Sequence, residues 1–411
     1  MKKMISLVLL TVLVLMASAQ SMTYETYNRL VAEKNAQYLA EKYNIDIATA
    51  SLQAARIFND PELSIAYGNN QDWDLQMGQS VEVGLSINPD IAGVRKARIA
   101  VAGNEKDITE ASVMAYLSNL KLEAAKAWAE AWKLGESCAI LEKSVADMMQ
   151  IARSDSLRLA VGEIGRAEAL QSRLEAHTLQ NSLLTLQADY RNALNTVSLF
   201  CGGEYISTLE GELPMTAITY DASDVCSLAE DNRADLKAAM LSKTLSENNL
   251  RLIRATRAFE MGIDLGYSYN KEVRNEIAPA PRFNGLTVGV SIPIKLSSLN
   301  KGELNVACSE VRQSECYYEA ARLQVLSEAT QAYNSMMAAS AVLEQYTTSI
   351  LDDARSIVEG HKEGYLKGES SLLEFLSAQQ TYQDVMQAYL EACSNCFTCK
   401  AQLEQATGCS F

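Results

Sequence analysis

The chain has 411 residues, is 48% hydrophobic, and carries 51 Asp and Glu against 36 Lys and Arg, a net charge of −15. That acidity argues against a nucleic-acid partner, because phosphate backbones are met by basic surfaces. The nine cysteines are odd in number, so at least one thiol is unpaired within the chain, and their spacing gives no disulfide framework.

The first residues read MKKMISLVLLTVLVLMASAQ. A basic start, an apolar run from Ile5 to Met16 and the small-residue pattern Ala17-Ser18-Ala19 predict a secretory signal over 1–19. Gln20 rather than Cys follows the expected cut, so nothing suggests a lipoprotein. No later stretch has 18 uninterrupted apolar residues. A membrane location would therefore have to rest on β-strands, since only helices and closed barrels satisfy their backbones in lipid.

A helix is expected near 24–57, followed by strands at about 61–69 and 80–88. All six prolines lie at 61, 89, 214, 279, 281 and 293, so none interrupts 90–213 or 294–411. From Val113 through Leu117, Leu120, Ala124, Ala127, Ala131, Leu134, Cys138, Leu141 and Val145 to Met148, apolar or small residues step by four and three. That 3.5-residue period predicts coiled-coil packing in a helix from about 94 to 158, roughly 100 Å long at about 1.5 Å per residue. The glycine-bearing segment 161–165 predicts a tight turn and a long returning helix.

The pattern then recurs. A helix is expected near 224–258, with strands at about 262–270 and 285–292. A second long helix follows, with a seam of Val325, Ala329, Ala332, Met336, Ala339, Leu343, Tyr346 and Ile350, then a turn at 366–369 and a return. VGLSI at 83–87 matches VGVSI at 288–292, and Lys96 and Ala102 fall on Lys301 and Ala307 at the same offset. VGEIGRAEALQS at 161–172 matches KGESSLLEFLSA at 367–378. The chain thus reads as a duplication, with structural repeats at 20–215 and 216–411. The fold class is α+β and mostly α: long helical hairpins with two strands per repeat.

Each strand alternates. Leu63, Ile65 and Tyr67 oppose Glu62, Ser64, Ala66 and Gly68; Val81, Val83, Leu85 and Ile87 oppose Ser80, Glu82, Gly84 and Ser86. The strands at 262–269 and 285–292 do the same, with Asp264 on the polar face. A half-buried sheet on a core would read this way. So would a membrane barrel with lipid outside and water inside. The helices are patterned to pack on one another, which favours the barrel. Four strands cannot close one, and an open edge cannot face lipid, so several copies must contribute. A trimer would supply twelve strands.

At the second turn, Tyr365-x-x-Gly368-x-x-Ser371-x-x-Glu374-x-Leu376-x-Ala378-Gln379 resembles the pattern of the TolC-type outer-membrane efflux proteins. The first-repeat copy keeps Gly162, Glu168 and Leu170 but has Gly165 where Ser or Thr is expected. Together with the exported N-terminus, the duplication and the strand pairs, the resemblance covers essentially the whole mature chain. It implies a homotrimer with a 12-stranded barrel in the lipid of a Gram-negative outer membrane, and a periplasmic α-barrel built from the coiled-coil hairpins. It further implies a passive exit duct for small molecules or metal ions, fed by a periplasmic adaptor and an inner-membrane pump of the resistance-nodulation type. Glu374, Tyr365 and Glu168 would form the periplasmic entrance, whose acidic ring would favour cations. The adaptor would meet Gly162, Gly165, Gly368, Ser370 and Ser371. In the barrel, Glu62, Glu82 and Asp264 would face the lumen.

No catalytic constellation is present, and no cofactor or resident metal is expected. His177 and His361, the only histidines, lack ligand-spaced partners. Cys393, Cys396 and Cys399 sit three apart, which on one helix turns the outer two about 240° from each other, so they do not converge on an ion. Two other readings remain open at this level: an outer-membrane exit for type I protein secretion, and a periplasmic coiled-coil scaffold.

Overall fold

In the computed structural model, residues 20–69, 78–214, 220–274, 276–295, 301–346 and 348–410 are described. The expected signal at 1–19 lies outside them. In chain order the elements are β1 (Gln20–Met22), α1 (Tyr24–Lys34), α2 (Ala36–Ala55), β2 (Glu62–Asn69), β3 (Gln79–Ile87), α3 (Val94–Ala160), α4 (Arg166–Phe200) and β4 (Ile206–Leu209). There follow α5 (Ala222–Asn232), α6 (Ala234–Thr256), β5 (Gly262–Asn270), β6 (Phe283–Ser291), α7 (Gly302–Gln345), α8 (Thr348–Lys367) and α9 (Leu372–Thr407). The proline-free helix α3 runs unbroken for 67 residues.

Contacts divide the chain into two compact units, and each draws on both halves of the sequence. One comprises 1–41, 113–234 and 323–411; the other comprises 42–112 and 235–322.

The first unit holds the two hairpin turns and a small parallel pairing of β1 with β4. Its core is the coiled-coil seam: Val113, Leu120, Ala124, Ala131, Cys138 and Met148 on α3, and Val325, Ala329, Ala332, Met336 and Ala339 on α7, are all buried. The helices expected near 24–57 and 224–258 are each broken once, at Asn35 and at Arg233, both in extended backbone (φ −62°, ψ 115° and φ −66°, ψ 122°). Asn35 accepts the Tyr38 N–H at 2.9 Å, restarting the helix, and donates to the Phe200 carbonyl at 3.2 Å. Arg233, 6% exposed, holds Glu328 at 2.6 Å. Beneath each break lies a glycine of positive φ. A Cβ on Gly202 would stand 2.7 Å from the Lys34 carbonyl oxygen, and one on Gly408 2.9 Å from that of Asn232. No larger residue fits either place.

The second long helix is not continuous. The seam through Tyr346 and Ile350 was expected to persist, but α7 stops at Gln345 and α8 begins at Thr348, leaving Ile350 exposed. The Tyr346 N–H reaches only the Leu343 carbonyl, at 3.0 Å, a tightened last turn. The local sequence Tyr-Thr-Thr-Ser supplies the reason: β-branched residues and hydroxyls that compete for backbone groups weaken a helix.

The second unit carries one antiparallel sheet in the order β2-β3-β5-β6. Its strands start or stop within two residues of the expected limits.

Candidate functional site: an apolar sheet face and a polar latch at the hairpin turns

The register of the sheet aligns side chains row by row. Leu63 pairs with Leu85, Leu85 with Leu265, and Leu265 with Val288. Ile65, Val83, Tyr267 and Leu286 form the next row, and Tyr67, Val81 and Tyr269 lie beyond it. Apart from Asn284, which ends that last row opposite Tyr269, the face is apolar, and it is exposed, from 36% at Leu85 to 80% at Leu286. A face of this size in water would be a liability, so something apolar must cover it. Strand β5 has nine residues, ~30 Å at about 3.3 Å each. At a tilt of about 40° it covers ~23 Å, close to the apolar band of an outer-membrane barrel. Among the described residues no helix is long and apolar enough to cross a membrane.

On the other face the rows are small and polar. Glu62, Ser86, Asp264 and Gly289 make one row, and Ser86 donates to Asp264 at 2.7 Å. Ala66, Glu82, Ser268 and Gly285 make another. Serine repeatedly lies over glycine: a Cβ on Gly84 would meet Ser64 Oγ at 2.5 Å, and one on Gly285 would meet Ser268 Oγ at 2.6 Å. The three expected lumen residues, Glu62, Glu82 and Asp264, therefore share one face. Strands β2 and β6 have no partner on their outer sides among the described residues.

The hairpin turns of the first unit are built alike. Gly162 (φ +80°) and Gly368 (φ +78°) occupy the left-handed position that side-chain-bearing residues avoid. In one turn the Glu163 N–H reaches the Arg158 carbonyl and the Gly162 N–H that of Leu159. In the other, Glu369 reaches Gly364 and Gly368 reaches Tyr365. Both are Schellman closures. After the turns the two differ. Gly165 begins α4 with no side-chain cap, whereas Ser371 begins α9 with a capping box. The Glu374 carboxylate accepts the Ser371 N–H at 2.8 Å, and this bond holds its pKa below the ordinary carboxylate range. Glu374 is thus an exposed cap residue; its carboxylate is bound to Ser371. Ser370 is half-buried and donates to the His361 carbonyl at 3.1 Å. A Cβ on Gly162 or Gly165 would meet nothing within 4 Å, so both are open to an approaching partner.

Tyr365 and Glu168 do come together. Tyr365 is 2% exposed and sits in a core with Met148, Ile151, Ala152, Ala176, Leu372 and Phe375. Its hydroxyl lies 2.8 Å from Asp155 Oδ1 and 3.3 Å from Glu168 Oε1. One proton serves two carboxylates, and the shorter bond, to Asp155, is the stronger. Burial, then the Asp155 hydrogen bond and the carboxylate charges, push the Tyr365 pKa far above the ordinary phenol range, so the donor keeps its proton. The Arg158 guanidinium lies 5.5 Å over the Tyr365 ring, 4.0 Å from Asp155 and 3.4 Å from Glu163. Two ion pairs continue the line between α3 and α8: Lys362 with Asp147 at 2.6 Å and Lys143 with Glu359 at 3.4 Å.

Sequence reasoning missed Asp155. Its signal was available: the seam steps 148, 152, 155 put an acid where an apolar residue belongs. It is wholly buried, and its Oδ2 has no partner among the described residues.

The family model of the outer membrane efflux protein matches 225–409, the region that contains the second turn, Tyr365 and the capping box. Over those residues the chain is similar to that family. The family is one of channels, and the resemblance read from the turn motif stands on this match. Over 392 residues the chain is 19% identical to the cobalt-zinc-cadmium resistance protein CzcC of Cupriavidus metallidurans, covering 95% of this chain and 91% of that one. Among solved structures it is similar to CusC (TM-score 0.75, 16% identity, 94% and 92% of the two chains). It is also similar to the outer-membrane channel OprN (0.74, 14%, 93% and 89%) and to the outer membrane protein VceC of Vibrio cholerae (0.70, 16%, 94% and 96%). These likenesses bear on the fold across nearly the whole chain, including the part before residue 225.

Proposed function

We propose that the chain is the exit channel of a tripartite efflux system, embedded as a homotrimer in the outer membrane of a Gram-negative bacterium. The observation that carries this is the sheet: a continuous exposed apolar face, a small polar face, and two open edges in a chain similar to the efflux-protein family over 225–409. Three copies joined edge to edge give a closed twelve-stranded barrel, lipid outside and Glu62, Glu82 and Asp264 inside. The energy comes from an inner-membrane pump of the resistance-nodulation type, acting through a periplasmic adaptor that meets the chain at Gly162, Gly165, Gly368, Ser370 and Ser371. The CzcC likeness makes divalent metal ions the first cargo to try, and the acidic lumen suits cations.

The gate, on this reading, is the Tyr365–Asp155–Glu168 latch, with Glu374 on the exposed mouth. Holding α8 against α3 and α4 closes the duct; parting them opens it. The unpartnered Asp155 Oδ2 costs the closed state about 1–3 kcal/mol, which keeps the latch releasable. Reconstitution into planar bilayers tests the function. Expected are trimers by mass and a low basal conductance that selects for cations. A monomer that fails to insert would overturn the reading.

A further inference from the structure

In the second unit the helix-side ends of all four strands line up. Glu62 pairs with Ser86, Ile87 with Ile263, and Gly262 with Ser291. At this edge each repeat passes from helix to strand and back, and each has a cation stapling the joint. Arg95 Nε donates to the Arg56 carbonyl at 2.8 Å, and Lys295 Nζ donates to that of Thr256, 200 residues on. Both carbonyls end a helix, where a cation is favoured. Arg95 also stacks 3.9 Å over the Phe58 ring, and Lys295 pairs with Glu260 at 2.6 Å.

Other groups at these joints are not used by the fold. Arg56, Lys96, Arg254 and Lys301 are exposed and make no ion pair among the described residues. Beside them Phe58 is 70% exposed, Phe259 54% and Ile294 84%. The segments 53–60, 90–98, 251–261 and 292–303 carry nine Lys and Arg against four Asp and Glu, in a chain of net charge −15. This excess of cations beside the apolar sheet face occurs in both repeats.

We propose that each joint is a binding site for an anionic phospholipid, with Arg56 and Lys96 in the first repeat, and Arg254 and Lys301 in the second, holding the headgroup phosphate. Phe58, Phe259 and Ile294 lie against the first acyl carbons. The occupant is a lipid and not a free anion because the cations border an apolar face and are interleaved with exposed apolar side chains. A phosphate ion has no use for that surface. The site rests on the membrane reading above and gives its leaflet a preferred chemistry.

The test is native mass spectrometry of the full-length channel released from nanodiscs of phosphatidylglycerol mixed equally with phosphatidylcholine. Wild type should retain phosphatidylglycerol preferentially. Each neutralised charge should cost about fivefold in that preference, so Arg56→Gln/Arg254→Gln, which removes one charge from each joint, should lose about fivefold at both, while Lys121→Gln, an exposed charge in the other unit, should lose nothing. Equal retention of the two lipids, or an unchanged preference in the double variant, overturns the proposal. So does displacement of the lipid by an excess of inorganic phosphate. Conductance measured on the same nanodisc preparations after fusion separates the readings: a conducting channel without lipid preference sinks only the lipid site, and a protein that never inserts sinks both.

Discussion

The two hairpin turns begin as copies and end as different devices. Up to Gly162 and Gly368 they share backbone sign, closure pattern and open surroundings. Beyond that point the second gains Ser371 and Glu374 as a capping box, and the helix preceding it carries Tyr365, which is buried against the first hairpin. The first has Gly165, no side-chain cap, and the acids Asp155 and Glu168 that receive the tyrosine. One turn region supplies the tyrosine and the other the carboxylates that receive it. The turn itself is fixed by backbone sterics that both copies must satisfy, whereas the latch needs complementary groups and so cannot be the same on both sides.

Breaking the asymmetry at its centre should have the largest effect. Tyr365→Phe keeps the ring and the packing but leaves Asp155 and Glu168 without their donor. A bond to a charged partner is worth about 1.5–3 kcal/mol, so the closed state should lose ten- to hundredfold in population. Basal conductance in planar bilayers should rise accordingly; unchanged conductance would remove the latch from the gate. Next come the shared glycines. Gly162→Ala and Gly368→Ala each force a side chain into the left-handed region and should cost about 1–2 kcal/mol, equally in both turns, by thermal unfolding in detergent. Unequal losses would mean that the turns are less alike than their backbones.

Smaller effects probe the caps. Ser371→Ala should cost ~1 kcal/mol and raise amide hydrogen exchange across 371–376. Because the Glu374 pKa is lowered in the folded state, the contribution of its bond is present above the ordinary glutamate range and fades as pH falls through it. The difference between wild type and Glu374→Gln should therefore narrow below about pH 4. Gly165→Ser should do least, stabilising the start of α4 by a few tenths of a kcal/mol. A loss instead would show that a partner needs that surface bare.

How much of this the sequence carried depended on the kind of order involved. Alternation of period two put Leu63, Ile65 and Tyr67 on one face without any knowledge of the neighbours, and the absence of proline announced α3. Those signals are local. The break between Gln345 and Thr348 escaped because the heptad steps run straight through it. Glu374 drew attention through its motif, but its carboxylate is engaged by its own helix. Asp155 was passed over although it breaks the seam, because a lone acid gains meaning only when Tyr365, 210 residues away, arrives beside it. Arg95 and Lys295 escaped for the same reason: their targets are carbonyls, which leave no mark in a sequence.

The rows in which serine lies over glycine have a consequence for traffic. Between the carboxylate rows, such a wall presents short hydroxyls and bare peptide and no side chain long enough to wrap a passing solute. It wets evenly, so a hydrated ion or molecule can exchange one water contact for the next without shedding its shell. On the proposed reading, the stretch of duct lined this way resists flow little and does not sort solutes by shape, so discrimination within the barrel falls to the charge of the carboxylate rows.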